Sequence, residues 1–223
     1  MSTRSNFATL PRIVRALAAF ALAAAFVAGA AAQAPVEGTN YARLKNPQPN
    51  ESGKSIEVLE FFSYGCPHCG ELEPHMQAWL KNKPADVTFR RIPVSFQPRW
   101  ESLSRVFYTL DALGEEMKYT LDIFTAIHGK GVQLWNEKDF LDWAAAKGMD
   151  RKKVEDMYKS FAIAGKMNRA KQLAGAYGIQ SVPTIVVDGK FTTGPERLQG
   201  GHAAVPGTID ALIAKARAER PKS

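Results

Sequence analysis

Apolar positions along this chain change period several times, and each change marks an element. Residues 56–62 read IEVLEFF, β-branched and aromatic enough for a central strand. Directly beyond, Leu72, Met76, Trp79 and Leu80 recur at helical spacing, so a helix follows after a short turn. Residues 87–94 read as another strand. The simplest connection between the two strands is a β-α-β crossover, which implies parallel pairing. Residues 41–45 are expected to form a short first strand and 47–53 a loop. Near the C-terminus, residues 184–187 and 190–193 flank Asp188-Gly189, a two-residue hairpin signal, and residues 208–219 have an amphipathic helical pattern. Between 98 and 178 no strand pattern emerges. There Phe107, Leu110, Met117, Leu121, Phe124, Phe140 and Phe161 suggest several helices packed as a bundle.

The first 32 residues have a different character. Arg4, Arg12 and Arg15 form a basic start, residues 16–29 are apolar and uncharged, and Ala30-Ala31-Ala32 supplies small residues for cleavage. This is the pattern of an export signal, cleaved between Ala32 and Gln33. An uncleaved membrane anchor is the weaker alternative, because the run is short, rich in alanine and followed by no basic stop-transfer cluster. About 190 residues remain, enough for one full core. Hydrophobic residues make up 45% and charged residues 23%, as in an ordinary globular protein. Removing the three leader arginines from 29 basic residues leaves 26 against 22 acidic ones, a balance of +4. That is too mild and too dispersed to indicate nucleic acid.

Cys66 and Cys69 are the only two cysteines, spaced as CPHC immediately after the apolar strand. In an oxidising compartment they can form a disulfide. As a structural staple the pair is poor, since closing so short a loop removes little unfolded-state entropy. No metal site is expected: zinc needs about four ligands, and His68, His75, His128 and His202 lack a metal-binding spacing. Haem attachment calls for histidine after the second cysteine, where Gly70 stands. A redox dithiol is the remaining reading. Cys66 falls where strand hands over to helix, and Pro67 suits the first helical position because its missing N–H is not needed there. Free N–H groups and the positive helix end then favour the Cys66 thiolate, and His68 can add a hydrogen bond or a positive charge. Pro74 should kink the same helix. Elsewhere, Trp100, Trp135 and Trp143 read as core, His128 as a helix end, and Arg90-Arg91 and residues 151–153 as solvated faces.

Glu60-Phe61-Phe62 closing a strand, the CPHC dithiol, a helical stretch and a later Val-Pro before a hairpin resemble the DsbA-type disulfide oxidases of bacteria, within the thioredoxin superfamily. The resemblance covers nearly all of the chain beyond Ala32. Its most specific parts are VLEFFSYGCPHC at 58–69 and VPTIVVDGK at 182–190. It implies an α/β, thioredoxin-like fold with a central mixed sheet and an inserted α-helical domain. After the signal peptide, residues 33–97 and 178–223 would form the two parts of the thioredoxin-like domain and 98–177 the insertion. The implied activity is that of a periplasmic thiol:disulfide oxidoreductase donating its Cys66–Cys69 disulfide to unfolded or newly exported proteins, with no other cofactor. Reoxidation would fall to a quinone-linked membrane partner of the DsbB type. A reductase or isomerase would share the fold and the dithiol, but isomerases usually carry an added dimerisation domain for which there is no spare length; a monomer is expected. Glu60 matches a buried acid that helps move the proton of the second cysteine, and burial would raise its pKa. Pro183 matches a cis proline facing the dithiol, and the backbone of Val182 would pair with extended substrate. The familiar examples of low-pKa Cys-x-x-Cys thiols and strongly oxidising pairs include this family, so they add no independent weight. Gly65 and Gly70 depart from the bulkier pattern beside the cysteines.

Overall fold

Strand β2 (Ile56–Phe62) is buried at every residue, because it lies inside a sheet covered on both faces. The computed structural model describes residues 34–220, so the expected leader and its cleavage site lie outside the described residues. With β1 (Ala42–Arg43), β3 (Val87–Pro93), β4 (Thr184–Val187) and β5 (Phe191–Thr193), β2 forms a five-stranded sheet of order β1-β5-β4-β2-β3. Helix α1 (Pro67–Lys81) makes the crossover from β2 to β3, and these strands pair parallel with Glu60 opposite Arg91. The remaining pairs are antiparallel. β1 is shorter than the expected 41–45. Leu44 still donates to Lys190 O at 2.8 Å, but Pro47 has no N–H to continue a ladder. Helix α1 runs through Pro74 as one element.

Alternation along the strands separates two apolar layers. Ile56, Val58, Ile185 and Val187 face α1 and the C-terminal helix, where Leu72, Met76, Ile209 and Leu212 meet them. Leu59, Phe61, Ile92 and Val186 face the opposite layer. That layer is built by the helices between β3 and β4: α2 (Pro98–Leu113), α3 (Glu116–Phe124), α4 (Glu137–Ala146), α5 (Arg151–Tyr158) and α6 (Phe161–Ala176). The last helix, α7 (Val205–Glu219), begins before the expected 208 because Pro206 fits its first turn.

Three residues expected in the helical core are exposed: Met117 at 49%, Leu121 at 38% and Phe161 at 95%. The helical period is right and the buried face is displaced. α3 buries Glu116, Tyr119, Thr120, Ile123 and Phe124, since Glu116 is drawn inward by a buried cation described below. Phe161 opens α6 on the side opposite Ile163 and Ala170, which pack inward.

Asp188 and Gly189 turn the β4–β5 hairpin with φ of 53° and 64°, the positive values that a tight hairpin turn requires. A Cβ on Gly189 would clash with Gln48 O, so conformation and space both demand glycine there. Gly189→Ala is therefore expected to cost at least about 1 kcal/mol in urea unfolding. An unchanged midpoint would show that the hairpin tolerates another turn.

Candidate active site

Cys66 is the N-cap of α1, with extended backbone (φ −96°, ψ 115°), and Pro67 follows in the first turn. The approach to it is tightly held. Cys66 N donates to Ser63 O at 3.0 Å, Gly65 N donates to Ser63 Oγ at 3.1 Å, and His128 Nε2 donates to Tyr64 O at 2.8 Å. Tyr64 is buried among Phe62, Phe107 and Phe124, with its hydroxyl 3.2 Å from Thr120 Oγ1. Cys69 lies one turn into the helix and is fully buried. Both cysteines are free thiols.

The two sulfurs have opposed acidities. A hydrogen bond from the Cys69 thiol, the backbone N–H groups of Cys69 and His68, and the charge of His68 together overcome burial and bring Cys66 down to about 6. Burial and the neighbouring Cys66 sulfur push Cys69 well above the ordinary thiol range, and Glu60 adds to that rise. At neutral pH the reduced pair therefore holds one thiolate, on Cys66, and one proton, on Cys69. His68 itself is exposed. Its Nδ1 donates to Glu71 Oε2 at 3.0 Å, and that bond raises its pKa.

Beneath the dithiol, Arg91 departs from expectation. A solvated face was expected for Arg90-Arg91, and Arg90 does lie partly in solvent, but Arg91 is 6% exposed. Successive strand residues point to opposite faces, and the face of Arg91 carries three acids. Its Nε donates to Glu60 Oε2 at 2.9 Å, Nη1 to Glu116 Oε1 at 2.8 Å and Nη2 to Glu73 Oε2 at 2.7 Å. One cation thus meets three carboxyl groups out of water. Burial raises Glu60 against the pull of Arg91. It also raises Glu73, to about 8, whose Oε1 is buried without a hydrogen-bond partner. Glu73 therefore retains a proton at neutral pH, and Glu60 lies close enough to bear on Cys69. Glu73, Glu116 and Arg91 were not expected as site residues. Their only sequence signal is polarity within apolar stripes.

The Val182-Pro183 peptide is cis, and the Cys66 thiol donates to Val182 O at 3.5 Å. This loop and the dithiol thus meet from opposite ends of the sequence. The bulk missing at Gly65 and Gly70 arrives from elsewhere. A Cβ on Gly65 would clash with Trp100 Nε1, and one on Gly70 would lie 3.1 Å from the Phe124 ring. Trp100, Trp135 and Trp143 otherwise pack partly buried against the helical core. His128, expected only to mark a helix end, sits in a π turn, Thr125–Gly129, and braces the turn before Cys66. Beside the dithiol, a shallow groove of about 380 Å³ is lined by Pro67, Gly70, Leu121, Phe124 and His128 among others.

A sulfur stabilised as thiolate is a good leaving group, and a neighbouring sulfur that keeps its proton can close a disulfide with it or release it. That division of labour, carried on a thioredoxin-like sheet with a helical insertion, is the working part of a thiol:disulfide oxidoreductase. A family model described as a DSBA-like thioredoxin domain matches residues 57–205, and the chain belongs to that family. Similar curated proteins include the thiol:disulfide interchange protein DsbA of Burkholderia cepacia, 40% identical over 85% of this chain and 88% of that protein. Its counterpart in Pseudomonas aeruginosa is 40% identical over 90% and 96%. The crystal structure of Pseudomonas aeruginosa DsbA superposes with a TM-score of 0.78 at 38% identity, covering 84% of this chain and 97% of that one. The Neisseria meningitidis oxidoreductase NmDsbA1 gives 0.73 at 31%, covering 82% and 95%.

Arg91→Met removes the cation and leaves the three acids buried. Breaking a buried pair in this way costs about 3–5 kcal/mol. The sign with pH follows from linkage: carboxyls whose folded pKa is raised bind more protons folded than unfolded, so stability falls as pH rises from their unfolded values through their folded ones. The loss on Arg91→Met, read by urea unfolding, is expected to be larger at pH 8 than at pH 4. A pH-independent loss would contradict an electrostatic role for the cluster.

Proposed function

We propose that this chain is a periplasmic dithiol oxidase that donates a Cys66–Cys69 disulfide to newly exported, cysteine-containing proteins. The observation that carries the proposal is the lowered pKa of Cys66 at the α1 N-terminus beside a proton-retaining Cys69. A substrate thiolate attacks the Cys66 sulfur; the Cys66–Cys69 bond breaks, and Cys69 leaves with the electron pair and takes up a proton. Glu60, raised by burial, is the acid through which that proton passes. The second substrate thiolate then attacks its partner sulfur in the mixed disulfide and expels Cys66 as a thiolate. Two electrons pass to the enzyme, the substrate is left with a disulfide, and the cysteine pair is itself the redox group.

Pro67 starts the helix that stabilises Cys66, and His68 adds positive charge beside it. Val182 and the cis Pro183 form the opposite lip, where backbone pairing with an extended substrate gives affinity without side-chain selection. The export signal expected at the N-terminus fits a periplasmic location. A quinone-linked membrane enzyme of the DsbB type returns the dithiol to its disulfide form.

Oxidation of a reduced, unfolded protein with several cysteines tests this reading. Cys66→Ser is expected to reduce disulfide formation to the uncatalysed background. With oxidised glutathione supplied, so that Cys66 is first charged as a mixed disulfide with release of one glutathione thiolate, Cys69→Ser should instead accumulate a Cys66–substrate disulfide as the substrate thiolate displaces the second glutathione, visible as a thiol-sensitive adduct. Full activity of Cys66→Ser would overturn the proposal in favour of a protein that binds peptides without exchanging sulfur.

A further inference from the structure

The four histidines lack a metal-binding spacing in sequence, yet folding brings two of them together. His68 and Glu71 occupy positions three apart on α1, where side chains are neighbours. His202 arrives from a short 3-10 turn, Gly201–Ala204, just ahead of α7. His68 Nδ1 is 3.0 Å and His202 Nε2 3.6 Å from the same oxygen, Glu71 Oε2, and the three donor atoms lie within 4.8 Å of one another. The imidazole rings are nearly parallel, 20° apart, with centroids at 6.0 Å. His202 Nε2 is shielded from solvent and has no hydrogen-bond partner.

We propose that His68, Glu71 and His202 form a binding site for a divalent transition ion of the zinc class. Bond lengths near 2.1 Å in a tetrahedral site separate donors by about 3.4 Å, so the two contacts to Glu71 Oε2 already approximate its edges. Two imidazoles and one carboxylate suit zinc and its neighbours and are a poor set for magnesium, which prefers oxygen ligands. The ion takes over the role of the proton that now joins His68 to Glu71, and it supplies the partner that His202 Nε2 lacks. A fourth position stays open to water on the exposed side, since His68 and Glu71 are 69% and 57% exposed. The site adjoins the dithiol without including it, and it goes beyond the sulfur exchange proposed above.

The test is calorimetric titration of untagged, chelator-treated protein with Zn²⁺, in the disulfide form so that neither sulfur is available as a ligand. One equivalent is expected to bind. His202→Ala and Glu71→Gln should each weaken binding at least tenfold, His75→Ala should leave it unchanged, and Mg²⁺ should not compete. Circular dichroism confirms that the variants fold. Absence of saturable binding by the disulfide form would overturn the proposal. Binding that survives both His202→Ala and Glu71→Gln, or that appears only after reduction, would overturn it as well by assigning the ion to other groups or to the thiols.

Discussion

Placing a cysteine at the N-cap of α1 is the constraint on which the rest of the site depends. The N-cap of a helix is ordinarily filled by a side chain that satisfies free N–H groups. Here Cys66 makes no such side-chain bond in its thiol form, so the helix start remains available to a negative sulfur. Pro67 fits without sacrificing a hydrogen bond, and Cys69, one turn on, offers its thiol as a donor to Cys66. Around this point the chain invests in rigidity: Ser63, Tyr64 and His128 fix the turn from one side, and the Val182-Pro183 loop bounds it from the other. The same sulfur is thereby the better thiolate and the more accessible point of attack in a disulfide.

Below the helix start, the Arg91 cluster solves a problem created by putting Glu60 into a buried strand. An isolated carboxylate there would be strongly disfavoured. A single guanidinium with one nitrogen for each of three acids keeps them in place while leaving the group short of positive charge. Glu60 and Glu73 consequently hold protons in a range where ordinary carboxylates do not. Thr120 links this layer to the active-site turn, with its hydroxyl 2.7 Å from Glu116 Oε1 and 3.2 Å from that of Tyr64. Proton storage and positioning of Cys66 thus belong to one packed unit.

Local signals made much of this legible in the sequence. The IEVLEFF strand, the helix after CPHC, the parallel crossover and the Asp188-Gly189 hairpin each follow from short-range period or turn chemistry, and the structure has all of them. What sequence could not convey depends on tertiary packing. Arg90 and Arg91 are chemically alike, and only the orientation of β3 decides that one meets solvent and the other three acids. Helix α3 has an apolar period that permits two faces, and the attraction of Glu116 to Arg91 selects between them. Trp100 and Phe124 fill the space at Gly65 and Gly70 from distant parts of the chain. His68 and His202 become neighbours only when α7 packs beside α1.

In the proposed activity, stabilising the Cys66 thiolate is what makes the Cys66–Cys69 disulfide a strong oxidant. Each unit by which the thiol is made more acidic favours the reduced form by about 1.4 kcal/mol, or about 30 mV in a two-electron couple. The most direct measurement is the equilibrium of the purified protein with graded reduced and oxidised glutathione between pH 5 and 8, read from the alkylated fraction of the two cysteines. A dithiol oxidase requires a couple more oxidising than cytosolic glutathione. Its dependence on pH should relax near pH 6 from about 59 to about 30 mV per pH unit, as one of the two protons ceases to be taken up on reduction. A strongly reducing couple with the steeper slope maintained through neutral pH would contradict it and make a thioredoxin-like reductase the better description of the same residues.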